Sequence, residues 1–142
     1  SFLPSAAEYI NEIASEGIST HIYHFGDFDP SGVDAAYKIR DTLREVAPDA
    51  EIHFERVAVL DEQIAALKLP TRPTKKTDSR ARNFGEESVE LDAIHPDLLR
   101  ALVYDRLERH LPKHKLDALK VAEESERTLI KSWADRLAAA SP

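Results

Sequence analysis

The chain contains no cysteine. A disulfide framework, a thiolate metal site and a thiol nucleophile are thereby excluded, and the fold has to stand on packing alone. No apolar run is long enough to span a bilayer and no charged-then-apolar leader opens the chain, so membrane insertion and secretion find no support. The expectation is an intracellular, cytoplasmic protein without a membrane partner. Positive charge is scarce as well: 19 Lys and Arg stand against 26 Asp and Glu, a formal net charge of −7. A stand-alone nucleic-acid binder coated in basic residues would carry the opposite balance.

What remains is 142 residues with 42% hydrophobic and 32% charged content. That is one globular domain large enough to bury a core, and too little chain for two complete ones. The few cations are not evenly spread. Between Thr71 and Gly85 lie Arg72, Lys75, Lys76, Arg80 and Arg82 against the single acid Asp78, a local charge of +4 that leaves −11 on the rest. A polyanion would have to approach there, or be bridged to the acids by a metal ion.

Apolar residues Leu3, Ala6, Ala7, Ile10 and Ile13 recur at helical spacing, with Gly17 where a helix would stop. Thr20 to Phe25, β-branched and aromatic and closed by Gly26, reads as a strand. Pro30 and Ser31 suit a helix start, and Ala36, Ile39, Leu43 and Val46 supply a stripe ending before Pro48. A second strand is expected from Glu51 to Val59. Strand, tight turn, helix and strand form a βαβ unit, which implies parallel pairing with a right-handed crossover.

Asp61 is expected to cap a short helix to about Leu67, followed by a long loop to Ser88. Val89 to Ile94 reads as a third strand, and Pro96 opens a helix with Leu99, Val103 and Leu107 on one face. A last helix runs from about Leu116 to Ala139. The expected fold is α/β, a three-layer, mostly parallel sheet flanked by helices, with a C-terminal helical extension. Residues 1–112 would form the α/β domain. Residues 113–142 would form a helix packing on that domain or on a neighbour.

The segment Gly26-Asp27-Phe28-Asp29-Pro30-Ser31-Gly32 joins the first strand to the second helix. Ligands of open parallel sheets bind beyond the carboxyl ends of the strands, where loops gather and helix amino ends point outward. Two carboxylates one residue apart in extended chain point the same way and can reach one hard cation or bracket two. Mg²⁺ suits so small a donor set because it keeps its waters and is completed by phosphate oxygens; Mn²⁺ is the alternative. Two acids without a neighbouring base also call for a cation. The competing reading makes Asp29 a helix cap and gives Asp27 a turn hydrogen bond.

Ile22 to Gly32, an apolar strand running into this acidic turn, resembles the second acidic motif of the Toprim domain. The likeness is greatest to the A subunit of type IIB DNA topoisomerases and the related meiotic double-strand-break protein. It is clearest over Thr20 to Val46, and the order of elements stays compatible to about His110. The resemblance implies an α/β fold, Mg²⁺ as cofactor, DNA as partner, and Asp27 and Asp29 as catalytic metal-holding residues.

Toprim enzymes also use a glutamate at the end of the strand preceding the first helix. Here the chain opens on that helix, and Glu8 and Glu12 lie within it and do not match. The strand and its glutamate are therefore expected either upstream of Ser1 or not in the protein at all, and an upstream domain or a homodimer partner is an expected partner. The topoisomerase tyrosine nucleophile is unmatched by Tyr9, Tyr23, Tyr37 or Tyr104.

Glu90 and Asp92 alternate along the expected third strand and would share a face near its carboxyl end, which makes them further candidates for a metal site. Helix capping by Asp92 and solvation of Glu90 are the plainer alternatives. Lys75, Lys76 and Arg80, set among prolines and small hydroxyls, are the candidate phosphate-binding residues, with a solvated loop as the alternative. His24 reads as a strand histidine with a satisfied hydrogen bond, since no second histidine has ligand spacing to it.

The functional expectation is a Mg²⁺-dependent, nucleic-acid-processing domain acting on the DNA backbone, related to topoisomerases or nucleases. A non-catalytic interaction module on the same scaffold is the alternative. A phospho-acceptor receiver-like domain is a third, weaker one.

Overall fold

The computed structural model describes residues 2–74, 85 and 87–140. The chain separates into two compact units, Ser1–Leu98 and Leu99–Pro142.

In the first unit, α1 (Phe2–Ser15) is followed by β1 (Thr20–Phe25), α2 (Pro30–Val46) and β2 (Ile52–Ala58). Gly17 ends the first helix with φ 78°, a left-handed conformation that favours glycine. β1 and β2 pair in parallel, with Thr20 opposite Ile52, Ile22 opposite Phe54 and His24 opposite Arg56. Alternation puts Ile22 and Ile52 on the face covered by the helices, where Ile10, Leu43, Ala47 and Ile52 form a buried cluster edged by Ala6, Ile39 and Ala50. The opposite face carries His21 stacked on His53, with ring centroids 4.5 Å apart. The βαβ reading from spacing alone therefore holds, with strand bounds within a residue of those expected.

β2 leads into α3 (Asp61–Leu67). Asp61 is the first helical residue and not the cap expected of it. Leu60 holds the cap position, and its amide donates to Gln63 Oε1 at 3.0 Å. Gln63 Nε2 in turn donates to the Val57 carbonyl at 2.9 Å. That carbonyl lies where the β1–β2 register slips, since His24 faces Arg56 but Phe25 faces Ala58.

The long loop expected up to Ser88 contains a short antiparallel ladder, β3 (Arg72–Pro73) with β4 (Glu87–Ser88). Thr74 Oγ1 and Ser88 Oγ are 2.9 Å apart beside it.

The third strand expected at Val89–Ile94 does not form. Val89 instead exchanges both backbone hydrogen bonds with Phe28 of the acidic turn, antiparallel, at 2.8 and 2.9 Å. Leu91–Ala93 is then a single 3₁₀ turn. The cause is visible in the hydrogen bonding: Asp27 Oδ1 takes the Leu91 amide at 2.8 Å, which bends the chain out of any ladder. Among the described residues the parallel sheet is thus the two strands β1 and β2, and the protein is α/β with a helical carboxyl-terminal part.

α4 (Pro96–Glu108) spans the boundary between the units, and α5 (Lys113–Ala140) fills the second. Within the second unit Leu116 is buried, and Glu123 gathers Tyr104 Oη, Arg100 and Arg127. Beyond it Leu129, Ile130, Trp133 and Leu137 are exposed. No helix among the described residues is long and apolar enough to cross a membrane.

Candidate functional site

The acidic turn begins where β1 ends. Gly26 extends the ladder by one step, donating to Ala58 O and accepting from the Val59 amide, both at 2.8 Å. The next three residues turn away from the sheet, and α2 starts at Pro30. Gly32 closes the turn so tightly that a Cβ there would lie 2.6 Å from the Asp27 carbonyl oxygen. Only glycine fits without a backbone shift.

Each aspartate has a structural partner. Asp29, extended at φ −143°, is the N-cap of α2, and its Oδ1 accepts from the Gly32 amide at 2.6 Å. Capping of this kind satisfies a donor that the first helical turn leaves without a partner. Asp27, exposed, uses Oδ1 to hold Leu91. The turn hydrogen bond weighed for Asp27 is therefore a long-range clip. Among the described residues, the Oδ2 atoms of Asp27 and Asp29 take no hydrogen bond.

The turn also has a base that sequence reasoning missed. Arg56, opposite His24 in the register, reaches under the turn with Nη2 donating to the carbonyls of Asp27 at 2.6 Å, Gly26 at 3.0 Å and Val59 at 3.3 Å. Its Nη1 lies 3.3 Å from His24 Nδ1 and 3.5 Å from the Gly32 carbonyl. Burial pulls the Arg56 pKa down, against the raising effects of Tyr37, Asp29 and Asp27. Two carboxylates near one guanidinium leave the turn a net charge of about −1, so the absence of a neighbouring base inferred from sequence is corrected. The sequence held one signal: Arg56 occupies the core-facing phase set by Ile52 and Phe54, where alternation calls for an apolar residue.

An arginine has no acceptor, so the contact with His24 fixes the histidine chemistry. Nδ1 must carry a lone pair and the ring proton must sit on Nε2. Burial, then the Arg56 charge, pushes the His24 pKa below its ordinary 6.5. The ring is further confined by Gly26, where a Cβ would lie 2.7 Å from its Cε1, and by Phe54 at a centroid distance of 6.2 Å. His24 is the satisfied strand histidine expected of it.

Glu90 and Asp92 are not brought together on a strand face. Glu90 precedes the 3₁₀ turn and ion-pairs with Arg72, while Asp92 lies inside that turn. Both flank Leu91, the residue that Asp27 holds. Lys75, Lys76 and Arg80 lie outside the described residues. Among the described residues no group of three or more His, Asp or Glu side chains gathers where a metal ion could be held. The arrangement offers two carboxylate oxygens at most, on a rigid turn at a strand's carboxyl end.

No family model matches the chain, and no curated protein or solved structure matches it.

Proposed function

We propose that the chain is a Toprim-like, Mg²⁺-dependent domain of a nucleic-acid-processing protein, in which Asp27 and Asp29 hold the ion through their second carboxylate oxygens. The observation that carries this reading is the division of labour at the turn. Both Oδ1 atoms are spent on backbone amides, which fixes the side chains, while both Oδ2 atoms remain for a ligand. Two hard oxygens suit Mg²⁺, whose other positions are filled by water or phosphate, and suit the fuller oxygen cage of Ca²⁺ poorly. When bound, the ion would neutralise charge on a phosphodiester backbone undergoing transfer, cleavage or religation. Lys75, Lys76 and Arg80 are the proposed phosphate contacts, and DNA the proposed partner. The three-layer, mostly parallel sheet of a Toprim fold belongs to the same proposal, since it needs further strands beside β1 and β2.

The same two hydrogen bonds favour a second reading, an interaction module without catalysis. Asp29 caps a helix and Asp27 anchors Leu91, so both acids have reason to be present without any metal.

A single experiment separates the two. Asn can accept the same amide hydrogen bonds as Asp but lacks the charge. Titration of the ¹⁵N-labelled protein with Mg²⁺ or Mn²⁺ is expected to move the amides of residues 26–32, and the Asp27→Asn, Asp29→Asn double variant is expected to stay folded and unresponsive. If neither ion perturbs these amides in the parent protein, the metal-dependent reading is lost and the module reading stands.

A further inference from the structure

Arg56 makes more contacts with the acidic turn than any packing role requires. Three of its acceptors, Gly26 O, Asp27 O and Gly32 O, belong to the turn itself, and Val59 O lies on the strand exit beside it. The three turn carbonyls bracket both aspartates, so the guanidinium sets the course of the backbone from which Asp27 and Asp29 project. Its remaining contact, His24 Nδ1, is the only one of the five whose accepting power depends on pH. A carbonyl accepts at any pH; an imidazole accepts only while neutral.

We propose that Arg56 is the positioning residue of the Asp27–Asp29 turn and that it keeps its place only while the neutral ring of His24 accepts from it. Adding a proton to Nδ1 replaces the lone pair by a second N–H and sets two cations at hydrogen-bond distance. Arg56 must then withdraw, and Gly26, Asp27 and Gly32 lose their shared donor. The groups facing the His24 ring are Arg56 and Phe54 from β2 and the Gly26 backbone from the turn. The charged or titratable groups felt by Arg56 are Tyr37 from α2 and Asp29 and Asp27 from the turn. Neither aspartate contributes to the shift at His24, which is set by burial and by Arg56 alone. Among the described residues no carboxylate therefore rewards protonation of the ring, and the contact behaves as a latch that opens in acid. As a statement about the ion site, this rests on the proposed metal reading; as a statement about the turn, it does not.

The test uses the full chain without metal first. In ¹⁵N spectra taken from pH 8 to pH 5, the amides of Gly26, Asp27 and Gly32 are expected to shift together, with one midpoint below 6.5 equal to that of the His24 ring protons. His24→Asn keeps an oxygen acceptor near the Nδ1 position and cannot take the proton. Its turn amides are expected to hold their high-pH positions throughout. Arg56→Met is expected to abolish the midpoint and to speed exchange of the Phe28 amide by about tenfold. Wild-type turn amides that stay still while the His24 ring titrates would overturn the proposal, as would amides in His24→Asn that still follow the wild-type curve.

Mg²⁺ titrations at pH 7.5 and pH 5.5 form a separate arm. The parent protein is expected to bind more weakly at the lower pH and His24→Asn equally at both. Absence of Mg²⁺ binding at either pH removes the metal reading, whereas the metal-free amide shifts still decide the latch.

Discussion

Gly32 and Asp27 meet at a distance no side chain can enter: a β-carbon on Gly32 would stand 2.6 Å from the Asp27 carbonyl oxygen and 3.2 Å from Asp29 Oδ1. The first of these atoms is backbone, held in turn by Arg56 at 2.6 Å, and cannot rotate away. Gly32→Ala is therefore expected to destabilise the protein by about 1–3 kcal/mol, the usual cost of forced backbone shifts in a tightly packed site. Alanine has the higher helix propensity, so a propensity argument predicts the opposite sign. A thermal or urea melt that finds Gly32→Ala as stable as the parent protein would show that the turn opens freely.

The N-cap separates two roles of Asp29. Asp29→Ala removes the acceptor for Gly32 and is expected to cost about 1 kcal/mol. Asp29→Asn keeps an oxygen there, and Asn caps about as well as Asp, so its midpoint in urea is expected to stay near that of the parent protein. Equal loss in both variants would mean that the negative charge, and not the hydrogen bond, is what stabilises the start of α2.

Leu43 tests the core that carries the turn. It is 4% exposed and packs with Ile10, Ala47 and Ile52 between the helices and the sheet. Leu43→Ala is expected to cost about 2–5 kcal/mol through lost burial and the cavity left behind. Leu137, 71% exposed on α5, should tolerate the same change with little effect on the monomer. Comparable losses at both positions in chemical denaturation would contradict this placement of the core.

Much of this framework was legible because periodicity reports burial. Thr20 to Phe25 has strand composition on both faces, and the stripe Ala36, Ile39, Leu43 points one way around a helix, so β1 and α2 could be read without coordinates. Val89 to Ile94 has the same alternation, but that pattern cannot register a long-range competitor. The Asp27 carboxylate sits 64 residues away and claims the Leu91 amide. Arg56 was hidden for a related reason. A charged residue in a strand is usually solvated, and only its phase, shared with Ile52 and Phe54, marks it as inward-facing. The acids themselves were legible as candidates, and so was the helix cap that Asp29 makes, whereas the distant Leu91 amide held by Asp27 was not.

Folding stability should carry the signature of His24 in a defined pH window. Its folded-state pKa lies below the ordinary 6.5, because burial and then the Arg56 charge disfavour the imidazolium. The unfolded chain therefore binds the proton more readily than the folded one, and stability rises with pH where that difference operates. The contribution is fully present above 6.5 and is lost as pH falls toward the folded-state value. Asp41 and Glu123, held low by Arg40 and by Tyr104 respectively, contribute stability above their ordinary values of 3.8 and 4.5, and so leave the window between about 5 and 6.5 to histidine. Urea midpoints measured from pH 7.5 to pH 5 are accordingly expected to fall in the parent protein. In His24→Asn they should stay level. A parent curve that is flat, or that climbs toward pH 5, would mean that His24 takes its proton in the folded state without disturbing Arg56.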